Sequence, residues 1–239
     1  VELYETHSFK LIYTIERSCT VSALDWIEEP DFNDEYDKGS KKERPQLLAV
    51  GGFDGIGKIY SISLERRDFI YLLDTFHVQT EICSMAFLKD NATNFTPNPT
   101  AIAIGEKSGK ISIVTLSGYP SMSKRSTMPK VIEQSESAVL SITFGFTALS
   151  REKNGIIMVY GTKYGKLRVS LLLTHEGGWI MSHPLFDLDR TGAIRALRFN
   201  HDSSLLIVGG YDKTVMIIDA DMWRVVRELY MDGTVQTIE

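Results

Sequence analysis

The sequence predicts an all-β fold of repeated four-stranded antiparallel units, and three observations predict it. A six-residue pattern (β-branched, any, small, apolar, any, aromatic) returns four times along the 239 residues. After each copy comes an apolar run ending in glycine, a tight turn and a second short run. No segment carries a sustained helical stripe. Short apolar or alternating runs separated by Gly, Asp and Ser turns read as antiparallel strands. Self-similarity of this kind marks a repeat architecture.

Taken in order, the chain opens on a part-unit at 1–16, with strands over 1–5 and 11–16. Full units follow at 19–76, 82–135, 138–189 and 193–231, and the start of another at 234–239. The six-residue pattern supplies the first strand of each unit: Val21-Ser22-Ala23-Leu24-Asp25-Trp26, Ile82-Cys83-Ser84-Met85-Ala86-Phe87, Val139-Leu140-Ser141-Ile142-Thr143-Phe144 and Ile194-Arg195-Ala196-Leu197-Arg198-Phe199. A further copy begins at Val235-Gln236-Thr237-Ile238. Second strands end at Gly51, Gly105, Gly161 and Gly209. Third strands begin near Lys58, Lys110, Lys166 and Thr214, and fourth strands fall at 69–76, 131–134, 185–188 and 224–230, the third of these the least defined.

At these residues the chain resembles the WD40-repeat family. The best match runs from Ile194 to Asp219, where Asp212 takes the place of the family's turn Asp and Asp219 that of the Asp in the Trp-Asp pair. Asp54 matches the turn Asp in the first full unit, whereas Ser108 and Tyr164 stand there in the middle units. His77 lies one residue away from the family's Gly-His, and the Trp of the Trp-Asp pair is absent throughout. The resemblance implies a β-propeller of four-stranded antiparallel blades, here four full blades plus two partial ones. It also implies a larger, seven-bladed parent from which this stretch comes.

Composition bounds the function. A hydrophobic fraction of 43% with 24% charged residues is ordinary globular usage and excludes disorder as the dominant state. The net charge of −5 argues against a nucleic-acid or anionic-membrane surface as the main partner. No apolar run reaches the roughly 20 residues of a bilayer span, and the acidic, alternating start is no signal peptide. Cys19 and Cys83 are too few for a disulfide scaffold and lack neighbouring ligands for a metal. They read as reduced thiols of a cytoplasmic or nuclear protein.

Strand alternation puts the connections between first and second strands on the same face as those between third and fourth. The long insertions, at 28–45, 89–99, 118–129, 147–154 and 174–183, all fall there. The opposite face carries tight turns. Insertions confined to one face often mark the binding face of a repeat protein, but the resemblance implies that the tight-turn rim docks partners, so both faces stand as candidates. Candidate contacts are Phe53, His77 and Tyr211 on the tight-turn side, Phe32 and Tyr36 in the acidic insertion, and Trp179, which is an anchor if exposed and otherwise packs beneath its own loop.

Chemistry-bearing motifs are weak. Gly52-Phe53-Asp54-Gly55-Ile56-Gly57-Lys58 begins like a phosphate loop, but Ile59 follows where Ser or Thr is needed, and a strand follows where a helix is needed. The turn acids Asp54 and Asp212 are expected to bond backbone N–H groups. Gly51, Gly105, Gly161 and Gly209 are expected to permit close packing or an unusual turn. No catalytic, metal or cofactor set emerges. The sequence therefore points to a non-catalytic protein-interaction scaffold. The alternatives are an enzyme with its site at the propeller channel, or an architectural piece of a larger assembly.

Overall fold

Four recurring blades are what the alternating pattern produces. A computed structural model describes residues 1–4, 11–27, 46–62, 70–88, 101–116, 128–175 and 178–238. The chain begins with a two-stranded ribbon, β1 (Glu2–Tyr4) and β2 (Leu11–Thr14). The first blade is β3 (Val21–Ile27), β4 (Gln46–Gly52), β5 (Ile56–Ile62) and β6 (Ile70–His77). The second is β7 (Ile82–Leu88), β8 (Ala101–Glu106), β9 (Lys110–Thr115) and β10 (Lys130–Gln134). The third is β11 (Val139–Gly145), β12 (Gly155–Thr162), β13 (Lys166–His175) and β14 (Gly178–Asp189). The fourth is β15 (Ile194–Phe199), β16 (Leu205–Gly210), β17 (Thr214–Asp219) and β18 (Arg224–Tyr230). Each sheet is antiparallel with strands in sequence order, the up-and-down arrangement of a propeller blade.

All four inner strands share one irregularity. The register with the second strand shifts between Val21 and Ala23, Ile82 and Ser84, Val139 and Ser141, and Ile194 and Ala196. The unpaired residues are Ser22, Cys83, Leu140 and Arg195, which is why the second place of the motif tolerates any side chain. Such a bulge turns its extra residue away from the ladder, and all four line the central channel, a cavity of about 310 Å³.

Blades join through separate apolar layers rather than one continuous core. The ribbon packs Ile15 against Leu48, Val50, Tyr60 and Ile62 of the first blade. Leu47, Ala49 and Ile59 meet Ile104 and Phe87 of the second. Ala101, Ala103, Ile111 and Ile113 meet Met158 and Tyr160 of the third. Ile157, Val159, Leu167 and Val169 meet Leu206, Val208 and Ile218 of the fourth. Burial pushes the Tyr160 hydroxyl up to about 12, so this joint carries a neutral phenol.

The repeated glycines sit at these joints. A Cβ on Gly51 would lie 2.6 Å from Ile82 Cγ2, on Gly105 2.7 Å from Val139 Cγ1, on Gly161 2.7 Å from Ile194 Cβ, and on Gly209 2.9 Å from Val235 Cβ. The β-branched residue that opens each motif therefore rests on the glycine of the preceding blade. Hydroxyls tie the same seam: Ser84 donates to the Val139 carbonyl at 3.0 Å and Ser141 to that of Ile194 at 3.1 Å.

Two expectations change. Residues 174–175 and 178–183 belong to strands and not to an inserted loop. β13 and β14 continue through this stretch as one long hairpin, pairing Leu172 with Met181 and Thr174 with Trp179. Gly178 and Pro184 obscured the strand in the sequence. Pro184 fits because β14 is the outermost strand and its register shifts there. The 147–154 insertion holds a short helix, α1 (Ala148–Glu152), with Thr147 as its cap. The 28–45 insertion, with Phe32 and Tyr36, and most of 89–99 and 118–129 lie outside the described residues.

Candidate partner-binding rim

The tight turns between second and third strands project from one end of the blades. Their leading residues are Phe53-Asp54, Lys107-Ser108, Lys163-Tyr164 and Tyr211-Asp212. Glycine at Gly55, Gly109 and Gly165 takes a positive φ of 73°, 87° and 84°, and Lys213 takes 62° at the same place in the fourth blade. That tight geometry leaves the leading side chains little to pack against. Phe53 is 51% exposed, Tyr164 73% and Tyr211 46%, so three of the four turns hold an aromatic ring in solvent. Two rings have a cation beside them: Lys163 Nζ lies 6.0 Å from the Tyr164 centroid and the Arg195 guanidinium 5.9 Å from that of Tyr211.

Between the first and second blades the rim holds a cleft of about 480 Å³, lined by Phe53, Asp54, Gln79, Thr80, Glu81, Lys107 and Ser108. Lys107 and Glu81 pair across it at 2.7 Å. His77 ends β6 on the same side and is exposed.

The turn acids hold the rim in shape. Asp54 Oδ1 accepts the Ile56 N–H at 3.0 Å and Asp212 Oδ1 that of Thr214 at 3.2 Å. Each carboxylate also pairs with an arginine that the motif reading missed. Arg17 Nη2 meets Asp54 Oδ1 at 3.0 Å, and Arg190 Nη2 meets Asp212 Oδ1 at 2.5 Å. The guanidinium groups are almost wholly buried and donate further to the Val50 and Ile56 carbonyls, and to those of Val208 and Thr214. Both arginines stand four residues before the β-branched start of a motif, Val21 or Ile194. That spacing was the signal available in the sequence. Partial desolvation pushes the Asp54 carboxyl up, but hydrogen bonds from the Cys19 thiol and the Ile56 N–H, with the charge of Arg17, hold it below the ordinary value.

Elsewhere the candidates disperse. Trp179 lies on β14, half-buried, and packs against the layer joining the second and third blades. Gly52-Phe53-Asp54-Gly55 is a hairpin turn, and β5 follows it as a strand. His77, His183 and His201 belong to three different blades. Asp25 lies within β3 and accepts the Phe87 N–H of the next inner strand at 2.5 Å. In the channel, burial and then the nearby charge of Glu81 push the Cys83 thiol up, which keeps it protonated. Among the described residues no three His, Cys, Asp or Glu side chains converge on a point. No helix among them is long and apolar enough to cross a membrane.

Comparison with known proteins agrees with this architecture. The family model described as "WD domain, G-beta repeat" matches residues 183–219. The match runs from within β14 to the end of β17, so the sequence repeat is offset by one strand from the structural blade. A chain in a crystal structure of a mitotic checkpoint complex has the same fold, with a TM-score of 0.64 at 15% identity. The likeness covers 99% of this chain and 62% of that one. No curated protein matches by sequence.

Proposed function

We propose that this WD40-repeat β-propeller chain is a non-catalytic scaffold that docks a protein partner on its tight-turn rim. WD40 propellers serve generally as protein-interaction scaffolds, and the finer assignment rests on one observation: Phe53, Tyr164 and Tyr211 stand exposed at equivalent turns of three blades. Aromatic side chains dominate interface energetics because each buries a large area at small entropic cost. The buried Arg17–Asp54 and Arg190–Asp212 pairs fix two of those turns in advance, which lowers the ordering cost of association. The checkpoint-complex neighbour belongs to a protein assembly, in keeping with a protein partner here. Two free thiols, Cys19 and Cys83, accord with a cytoplasmic or nuclear setting.

The channel is the competing location. Its Asp25 is engaged by the Phe87 N–H of the next inner strand, and its Cys83 is held as a thiol.

The experiment is partner capture from native lysate with three forms of the protein. Phe53→Ser with Tyr211→Ser should lose partners that the unchanged protein retains, with circular dichroism unaltered. Each ring, if central to the contact, is worth about 2 kcal/mol or more. A form lacking the insertion at 28–45 should retain them. Retention by the rim variant and loss by the deletion would move the docking site to the opposite face.

A further inference from the structure

On the tight-turn rim the acids of the turns are engaged internally, whereas several cations are not. Asp54 and Asp212 are bound by buried arginines. Glu106 is 1% exposed and accepts the hydroxyl groups of Thr80, Ser108 and Ser112. The unengaged cations gather on the third and fourth blades. Lys163 and Lys166 flank the Tyr164 turn, Lys213 stands two residues after Tyr211, and Arg195 lies beside the Tyr211 ring. Among the described residues none of these four cations forms an ion pair, whereas Lys107 of the second blade is answered by Glu81. The exposed acids Glu136, Asp189 and Asp232 stand in or beside the neighbouring linkers, and none comes within ion-pair distance of these cations. The chain as a whole carries a net charge of −5, so this cationic sector runs against its general balance.

We infer that the partner presents a short acidic segment, with apolar side chains between its carboxylates, that lies across the turns of the third and fourth blades. The inference rests on the rim docking proposed above and names the chemistry of the partner. Lys163 beside Tyr164 and Arg195 beside Tyr211 each offer a ring face and a positive charge within 6.0 Å of one another. An apolar side chain next to an acidic one satisfies both at once. A neutral partner would desolvate these cations and leave them unpaired, which is unfavourable. A nucleic acid fits less well. Glu136, Asp189 and Asp232 would repel a continuous line of phosphates, whereas separate carboxylates fit between them. Complementary charge of this kind also steers the encounter and fixes register.

Charge reversal with carbodiimide coupling tests this on the protein at its natural length. Partner capture from native lysate is run with Lys163→Glu plus Lys213→Glu. A charge-matched control on the insertion side carries Lys130→Glu plus Lys153→Glu. Captured complexes of the unchanged protein are treated with a carbodiimide, which joins lysine amines to carboxylates in contact with them. The rim reversal should lower capture at least about tenfold, with circular dichroism unaltered, and the control should leave capture unchanged. Lys163 and Lys213 should both be found coupled to Asp or Glu of one partner segment. The milder Lys163→Gln plus Lys213→Gln should give an intermediate loss. Capture undiminished by the rim reversal, while Phe53→Ser with Tyr211→Ser still loses the partner, would overturn the inference and leave the docking site standing. Capture undiminished by both would remove the docking site as well. Loss of capture on nuclease or phosphatase treatment would assign the charge to a nucleic acid or a phosphoryl group and would also overturn the inference.

Discussion

The first and fourth blades hold their tight turns differently from the second and third. Where Arg17 or Arg190 occupies the linker, the turn carries Asp54 or Asp212 and the second strand ends Gly51-Gly52 or Gly209-Gly210. Where the linker residue is Val78 or Ser135, the turn carries Ser108 or Tyr164 and the strand ends Gly105-Glu106 or Gly161-Thr162. Sterics connect the three positions in the first blade. A Cβ on Gly52 would lie 2.6 Å from Cys19 Sγ, 2.8 Å from Asp54 Oδ1 and 3.1 Å from Arg17 Nη2, so a side chain there would crowd the ion pair. In the second blade the Glu106 side chain takes over, 1% exposed, accepting Thr80 Oγ1 at 3.1 Å with Ser108 and Ser112 close by. A turn can thus be tied to its linker by an ion pair or by a hydroxyl–carboxylate cluster, and the residues of each solution change as a set.

The largest effect should come from Arg190→Ala. Removing one partner of a buried, hydrogen-bonded pair strands the other, at a cost of about 3–5 kcal/mol. Asp212 and the Val208 and Thr214 carbonyls would all lose a donor. Urea unfolding measures the loss, and replacing Arg190 and Asp212 together by Met and Leu should recover most of it. Arg17→Ala should cost less, about 1–3 kcal/mol, because Asp54 is 24% exposed against 9% for Asp212 and water can replace the lost donor. If the two substitutions cost the same, burial is not what separates the pairs.

At the seams, Gly161→Ala should cost about 1–3 kcal/mol by overpacking against Ile194. Combining it with Ile194→Ala, which removes the Cγ2 that the added methyl would meet, should return part of that loss. Simple additivity of the two would contradict the contact.

The smallest effect is that of pH. The folded Asp54 carboxyl lies below its ordinary value of 3.8. Its contribution to stability is therefore complete above that value and is lost as pH falls through the lower, folded one. Asp54→Asn should flatten this acid limb of the stability curve. An unchanged limb would place the acid sensitivity elsewhere.

Much of this fold was legible in the sequence because its determinants are periodic. The β-branched start of each motif and the glycine that receives it lie in different blades, yet both recur, so repetition exposed them. The Arg–Asp ties were less legible. Their acids matched a known turn position, but the arginines sit in linkers where no strand periodicity marks them, and two blades lack the pair. The bulge behind Ser22, Cys83, Leu140 and Arg195 was invisible because a bulge accepts any side chain. The β13–β14 hairpin was hidden by Gly178 and Pro184, which an edge strand tolerates and an inner strand does not. The rim was half visible: Phe53 and Tyr211 stood out beside glycines, whereas Tyr164 read only as a lost turn acid until its exposure was seen.

Hydrogen exchange on the protein with and without a captured partner tests the rim assignment most directly. The account predicts slowed exchange in the turns that carry Phe53, Tyr164 and Tyr211, and none in α1. Slowed exchange at α1, with the aromatic turns unchanged, would contradict it.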